Sequence, residues 1–262
     1  MLKPLVILPT YNERDTLPVL IIKILGQEIF DILIVDDNST DGTREIARNW
    51  ADKDPRVSLI ERPEKLGLGT AYRAGFRWGL ERGGYDCFIE MDSDLSHNAG
   101  DLPRFLDEME KSGAALVIGS RYLSGTISVV GWDFMRLLLS RFGNLYASTL
   151  LGIGISDMTS GFRAYSRKAL ESIDLDSVRS EGYAFQIEMT YHVSRAGLPM
   201  KEIPIIFHER SQGQSKMSKL IVREALRLPW RLRLVELAGI LGLKSGKTAG
   251  LAGGRPGRLG KG

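Results

Sequence analysis

The sequence predicts an α/β fold, a single domain built on a mostly parallel sheet. Three observations lead there. Short apolar runs alternate with helical periods along the first ~120 residues, which is the pattern of a parallel sheet covered on both faces. Those runs end on polar clusters: Pro9 to Glu13, Asp36-Asp37, and Asp92 to Asp94. With 262 residues and 43% hydrophobic content, the chain is long enough to bury a large core.

The elements follow in order. Leu5-Val6-Ile7-Leu8 is an apolar run stopped by Pro9 and reads as a central strand. Asp15 or Thr16 caps a helix to about Leu25, with Pro18 tolerated in its first turn. Ile32 to Val35 is the second strand, and the turn chemistry of Asn38 to Gly42 leads to a helix over Thr43 to Asp52. Val57 to Ile60, Cys87 to Met91 and Leu116 to Ile118 are further strands. Between them fall helices over Leu68 to Arg82 and from Asp101 or Leu102 to about Ser112. Asp133 to Leu151 is a long apolar helix interrupted by Arg136, Ser140 and Arg141. Asp157 to Arg163 is a polar turn into a short strand, Tyr183 to Ala196 a helix, and Ile203 to Phe207 a strand. From Ser218 the chain is helical, with a kink or break expected at Pro229.

Composition excludes several classes. Net charge is +3, but Lys244 to Gly262 holds five basic residues and no acid, leaving 30 basic against 32 acidic residues before it. A near-neutral body argues against a general nucleic-acid binder. Cys87 is the only cysteine, so no disulfide framework or cysteine zinc site is expected, and it reads as a core residue. Met1 to Lys3 runs straight into a strand, with no leader in between, and no run approaches the ~20 apolar residues of a membrane span. The expected location is the cytoplasm or the cytoplasmic face of a membrane.

In open parallel sheets, ligands lie outside the carboxyl ends of the strands. Asp92 and Asp94, one residue apart at a strand end, would point to the same side. Two such carboxylates suit a hard cation, Mg²⁺ or Mn²⁺, bridging to a diphosphate. The alternative is an Asp-rich turn capping the next helix. One of Asp36 and Asp37 could accept two N–H donors of a nucleobase, or cap the following helix. Lys65 to Ala71 resembles a phosphate-cradling glycine loop but has neither the Walker nor the G-x-G-x-x-G spacing. Close packing of a helix start explains its glycines equally well. Arg121 suits a phosphate partner or an ion pair with a neighbouring acid. His97, His192 and His208 lack metal-ligand spacing.

Two segments look interfacial. Arg136 and Arg141 interrupt a helix that is apolar around nearly all its remaining circumference. Lys219, Arg223, Arg227 and Arg231 recur every four residues opposite leucines and Trp230. Both fit a membrane surface, and a solvated charge stripe is the alternative for the second. The chain therefore divides into a main α/β domain over 1–216, membrane-interface helices over 217–243, and a basic, glycine-rich tail over 244–262 expected to be disordered.

Taken together, Leu8 to Glu13, Val35 to Thr43 and Gly67 to Tyr72 resemble the nucleotide-binding half of an inverting GT-A glycosyltransferase of family 2. Met91 to His97, Gly119 to Tyr122, Gly131 to Asp133 with Arg136, Asp157 to Arg163, Gly182 to Met189 and Arg210 to Lys216 narrow the resemblance to the dolichyl/polyprenyl-phosphate β-mannosyltransferases. It spans roughly residues 4 to 235. It implies that Pro9, Tyr11, Glu13, Val35 and Asp37 hold the guanine nucleotide of GDP-mannose. Asp92 and Asp94 would bind Mg²⁺ or Mn²⁺ across the diphosphate, with Ser93 alongside, and Ser96 stands where some relatives place a glutamine ligand. Arg210 and Lys216 would close over the diphosphate, and Arg121 and Arg136 would hold the lipid phosphate. Met135 and Leu137 flank Arg136, where relatives often carry a basic cluster. The implied acceptor is polyprenyl or dolichyl phosphate, reached peripherally at the membrane or through an anchoring partner subunit.

Competing expectations are a family 2 enzyme using UDP-glucose or a hydroxyl acceptor, and a non-catalytic nucleotide-binding scaffold. A hydroxyl acceptor would need a base and would leave the Arg-bearing apolar helix without a purpose. A scaffold would not need the D-x-D, Arg121, Arg210 and Lys216. An NAD-dependent oxidoreductase fails because its glycine fingerprint is missing after the first strand.

Overall fold

The computed structural model describes residues 2–209 and 219–240, the side chains of 124, 219–222 and 238–240 excepted. The first half alternates as expected: β1 (Pro4–Thr10), α1 (Leu17–Leu25), β2 (Asp31–Asp36), α2 (Thr43–Lys53), β3 (Val57–Glu61), α3 (Leu68–Arg82), β4 (Cys87–Glu90), α4 (Leu102–Ser112) and β5 (Leu116–Ser120). The second half holds β6 (Val129–Val130), α5 (Phe134–Leu151), β7 (Arg163–Ser166), α6 (Arg167–Glu171), α7 (Gly182–Arg195), β8 (Met200–Pro204), β9 (Phe207–His208) and α8 (Lys219–Ile240).

The main sheet runs β3-β2-β1-β4-β7-β5-β8, and β6 pairs with β9 in a separate ribbon. Alternation along β1 shows how the core divides. Leu5 and Ile7 join the cluster under α3 and α7, while Val6 and Leu8 face the cluster under α1 and α4. Both faces are covered, so the central strands are apolar throughout.

The sheet is mostly parallel, as expected, with β7 inserted antiparallel between β4 and β5. Arg163, fully buried at the first position of β7, is satisfied there by four partners: Ser160 O (2.6 Å), Gln186 O (2.9 Å), Met158 O (2.8 Å) and Thr190 Oγ1 (2.6 Å). Two expectations are corrected. The expected strand over Ile203 to Phe207 is two pieces: β8 ends at Pro204, its last ladder bond running from Ile205 N to Ser120 O (3.1 Å), and β9 pairs with β6 in the separate ribbon. α8 runs through Pro229 without a break. A proline removes one helical hydrogen bond, and burial of Leu228 and Leu232 against α5 and α7 holds the helix on both sides of it.

Among the described residues, no helix is long and apolar enough to cross a membrane. Residues 244–262, Arg210 and Lys216 lie outside the described residues.

Candidate active site

The parallel strands β1, β2 and β4 deliver their carboxyl ends to one edge, and the site grows from there. β1 ends beside β2, with Thr10 opposite Asp36. Asp36 is fully buried and has an internal role. It accepts from Thr10 Oγ1 (2.9 Å), Ser39 N (3.0 Å), Ser39 Oγ (2.6 Å) and Arg44 Nε (3.2 Å). The loop after β1 is laced to the turn after β2: Asn12 N donates to Ser39 Oγ (3.0 Å) and Glu13 N to Thr43 Oγ1 (2.9 Å). Tyr11 is stacked under Lys65, whose Nζ lies 3.9 Å from the ring centroid. Pro9 and Val35 sit opposite each other in the ladder.

Asp37 is buried as well, and both of its carboxylate oxygens are engaged. One carboxylate oxygen is ion-paired with Arg62 and the other accepts from Gly67 N (3.1 Å). Arg62 also bonds Thr70 Oγ1 (2.7 Å) and Gly67 O (2.9 Å), tying the end of β2 to the glycine loop. That loop is not an open phosphate cradle. Glu181, just before α7, accepts from Gly69 N (2.8 Å) and Thr70 N (3.2 Å), so a carboxylate already caps the helix start. The glycines serve close packing: a Cβ at Gly69 would lie 2.7 Å from Ser180 O, and one at Gly75 2.6 Å from Ile7.

β4 stops at Glu90, opposite Ile7, two residues short of the D-x-D. Asp92 and Asp94 are therefore held by a turn, not by the strand period. Leu95 has φ 64° there, Ser93 Oγ donates to Pro9 O (2.8 Å), and Ser96 N donates to Asp94 Oδ1 (3.0 Å). His97, buried and stacked on Phe162 at 4.8 Å, accepts from Asp92 N through Nδ1 (3.2 Å). Its spacing in the sequence gave no hint of this. Tyr72 OH reaches Asp92 Oδ1 at 3.5 Å.

Among the described residues there is no group of three or more His, Cys, Asp or Glu able to hold a metal. A two-carboxylate site suits Mg²⁺ or Mn²⁺, ions that complete their shell with water and substrate oxygens. One local feature fits such an ion: Ser96 Oγ is buried beside Asp94 with no hydrogen-bond partner. A buried hydroxyl of that kind calls for a ligand or water. Beneath the turn, Glu90 is fully buried and accepts from Gln186 Nε2 (2.7 Å). Burial pushes its carboxyl up to about 8, against the lowering effects of the Arg163 charge and the Gln186 bond.

Arg121, at the end of β5, is buried and forms the ion pair that its position allowed. Nε and Nη2 each lie 2.7 Å from the Asp157 carboxylate, and Nη2 reaches Thr159 Oγ1 at 2.8 Å. Burial acts to raise the Asp157 carboxyl, but the Arg121 charge and hydrogen bonds override it and hold it below the ordinary range. Glu202 anchors the same turn by accepting from Ser156 N (2.8 Å) and Asp157 N (3.0 Å).

α5 starts at the N-cap Asp133, which accepts from Arg136 N (2.9 Å). The Arg136 guanidinium lies 4.3 Å from the Trp132 ring centroid, and that of Arg121 5.4 Å from the same ring. Arg136 Nη1 also meets Glu209 Oε1 at 2.5 Å. His208 N donates to Ser96 O (3.2 Å), so β9 is attached to the D-x-D turn and its next residue, Glu209, reaches Arg136. A chain of contacts through His208 and Glu209 thus links Arg136 to the turn that carries Asp92 and Asp94. Glu181, Asp157 and Glu209 were not singled out individually from the sequence, because each acts on a residue 36 to 112 positions away.

The outer side of α5 is apolar and open to solvent: Phe134 is 72% exposed, Leu139 63% and Phe142 64%. α8 packs beside it, with Tyr146 OH donating to Leu226 O (2.7 Å), and adds exposed Trp230, Leu234 and Val235.

Residues 5–174 match the family described as Glycosyl transferase family 2. The chain is 48% identical over 226 residues to a polyprenol monophosphomannose synthase of Mycolicibacterium smegmatis, covering 86% of this chain and 84% of that protein. It is 46% identical over 226 residues to an undecaprenyl-phosphate mannosyltransferase of Micrococcus luteus, covering 86% and 91%. Among solved structures it resembles glucosyl-3-phosphoglycerate synthase from Mycobacterium tuberculosis in complex with phosphoglyceric acid, with TM-score 0.65, 19% identity, and coverage of 87% and 80%. A second structure of that protein, holding Mn²⁺, UDP-glucose and phosphoglyceric acid, gives TM-score 0.64 at 20% identity, with the same coverage. At such identity the likeness is one of fold, the GT-A arrangement with its mostly parallel sheet. The match over most of the sheet, with two relatives near half identity along most of their length, means that this chain belongs to glycosyl transferase family 2.

Proposed function

We propose that this protein transfers mannose from GDP-mannose to polyprenyl phosphate with inversion, giving polyprenyl β-mannosyl phosphate and GDP. The names of the two relatives support the sugar and the lipid acceptor. The observation that carries the reading is the attachment of β9 to the D-x-D turn, which links that turn, through Glu209, to Arg136 on an apolar exposed helix.

In this reading Pro9, Tyr11, Glu13, Val35 and Asp37 bound the nucleoside, with Asp37 kept in place by Arg62 and Gly67 N. Asp92 and Asp94, with Ser93 and Ser96 in the same turn, would hold Mg²⁺ or Mn²⁺, which stabilises the negative charge of a diphosphate leaving group. Arg210 and Lys216 are assigned to the same diphosphate. The acceptor phosphate is anionic near neutrality, with a second pKa near ~6, so no residue has to remove a proton from it. Its oxygen attacks the anomeric carbon, and the bond from that carbon to the diphosphate breaks on the opposite side. Arg136 binds the phosphate. Arg121, already balanced by Asp157, supports the site through the Trp132 ring. Exposed Phe134, Leu139 and Phe142 lie against the membrane, where the polyprenyl chain resides. The protein works peripherally, on the cytoplasmic face.

The test is transfer of labelled sugar to polyprenyl phosphate, comparing GDP-mannose with UDP-glucose, with and without chelator. The expected product is a mild-acid-labile β-mannosyl phosphate that forms only with GDP-mannose and a divalent ion. No mannose transfer under any metal condition, or preference for UDP-glucose, overturns the reading.

A further inference from the structure

We infer that Glu209 holds the acceptor-phosphate place on Arg136 until a phosphate displaces it, and so helps set acceptor specificity. The inference rests on the reading of Arg136 as the phosphate-binding residue. The contact between Arg136 Nη1 and Glu209 Oε1 is 2.5 Å, a charge-assisted bond.

Both partners are fixed by backbone and ring contacts. Arg136 stands on the first turn of α5 with its guanidinium over Trp132 at 4.3 Å. Glu209 is placed by the β6–β9 ribbon: Val130 pairs with His208, and Glu209 N donates to Val130 O (2.9 Å). Gly131, at φ 93°, makes room for it, since a Cβ there would lie 2.8 Å from Glu209 Cβ. The ribbon thus delivers a carboxylate to this guanidinium.

A carboxylate and a phosphate offer the same acceptor oxygens to an arginine fork. A second observation points to an anion at this place. Trp132 Nε1, in the ring beneath Arg136, is buried with no acceptor. Buried N–H groups without a partner are rare and call for one. A phosphate dianion outweighs the single charge of Glu209 at Arg136. A neutral hydroxyl does not, because displacing Glu209 would leave both ends of the pair without an opposite charge. The pair is partly exposed, which keeps it weak enough to exchange.

The experiment measures KM for short-chain polyprenyl phosphate and for GDP-mannose in Glu209→Gln, Arg136→Ala and the double variant. It also measures inhibition by the monoanionic methyl ester of the same phosphate. Glu209→Gln should lower the acceptor KM by about two- to fivefold, the range an exposed ion pair supports, without moving the donor KM. The methyl ester should gain more than the dianion, so discrimination between them narrows. In the Arg136→Ala background the glutamine substitution should have no effect. An acceptor KM that rises or stays fixed in Glu209→Gln, while Arg136→Ala raises it, overturns the inference alone. An acceptor KM unmoved by Arg136→Ala overturns the functional reading beneath it.

Discussion

The edge made by β1, β2 and β4 and the face made by α5 and α8 solve opposite problems. On the edge, polar side chains are bound to one another before any ligand arrives. Asp36 has four donors, Asp37 has Arg62 and Gly67 N, and Glu181 closes the glycine loop. On the face, large apolar side chains stay in water, and Arg136 holds a partly exposed ion pair. A small polar ligand is recognised by a few preset donors and acceptors, so its site gains from internal hydrogen bonds. A lipid is recognised by area, so its site needs exposed apolar surface beside one charge.

The sharpest way to separate the two is Asp94→Ala. Metal stabilisation of a leaving group contributes several kcal/mol, so turnover should fall by about 10³-fold or more. Mn²⁺ binding in the presence of GDP, followed by titration, should be lost with it, while binding to lipid vesicles is unchanged. Retained turnover with the same metal dependence would remove the pair from the reaction.

Next in size is Arg121→Ala, which sits between the two regions. It leaves the Asp157 carboxylate buried and unpaired, at a cost of about 3–5 kcal/mol. Chemical denaturation should show the loss. Asp157 also gives the pair a pH signature. Its folded pKa is lowered, so its stabilisation is complete above the ordinary carboxylate pKa and disappears as pH falls through the folded value. Acid unfolding of Arg121→Ala should lack that component. An Arg121→Ala protein as stable as wild type would mean that the pair does not hold the two regions together.

How far the sequence could be read follows the same division. The apolar runs Leu5 to Leu8 and Ile32 to Val35 fall inside β1 and β2, and Leu68 to Arg82 matches α3, because period and turn residues are local signals. β7 was legible only as a short strand, since nothing near Arg163 shows that it enters the sheet antiparallel. The D-x-D was visible as a pair, but the turn that holds it depends on Pro9 O, 84 residues away. Asp157, Glu181 and Glu209 are ordinary acids in the sequence. They acquire roles only when the fold brings them to Arg121, Gly69 and Arg136.

The face itself is tested by replacing Leu139 and Phe142 with serine. Each exposed side chain contributes about 1.5–3 kcal/mol when fully buried in an apolar phase. Vesicle sedimentation should weaken by about tenfold or more. Turnover of a detergent-dispersed short-chain acceptor and the donor KM should stay near wild type. A loss of donor affinity instead would mean that the two regions are not separable.

The smallest effect concerns the clasp that Glu181 makes on the glycine loop. Glu181 accepts from two backbone amides at the start of α3 and is half-buried. Burial raises its pKa above the ordinary 4.5, outweighing the two amide bonds. The sign follows from linkage. Above pH 4.5 the unfolded chain has released this proton while the folded chain still holds part of it, so stability falls as pH rises through the window that begins there. Glu181→Gln removes the titration and also one of the two amide bonds, worth about 0.5–1.5 kcal/mol. Thermal unfolding between pH 4.5 and 7 should therefore show a flatter pH dependence in the variant, on a lower baseline. The double serine variant of α5 should keep the wild-type slope. If all three slopes coincide, Glu181 is no more desolvated than a surface acid, and its clasp on the glycine loop is looser than its hydrogen bonds imply.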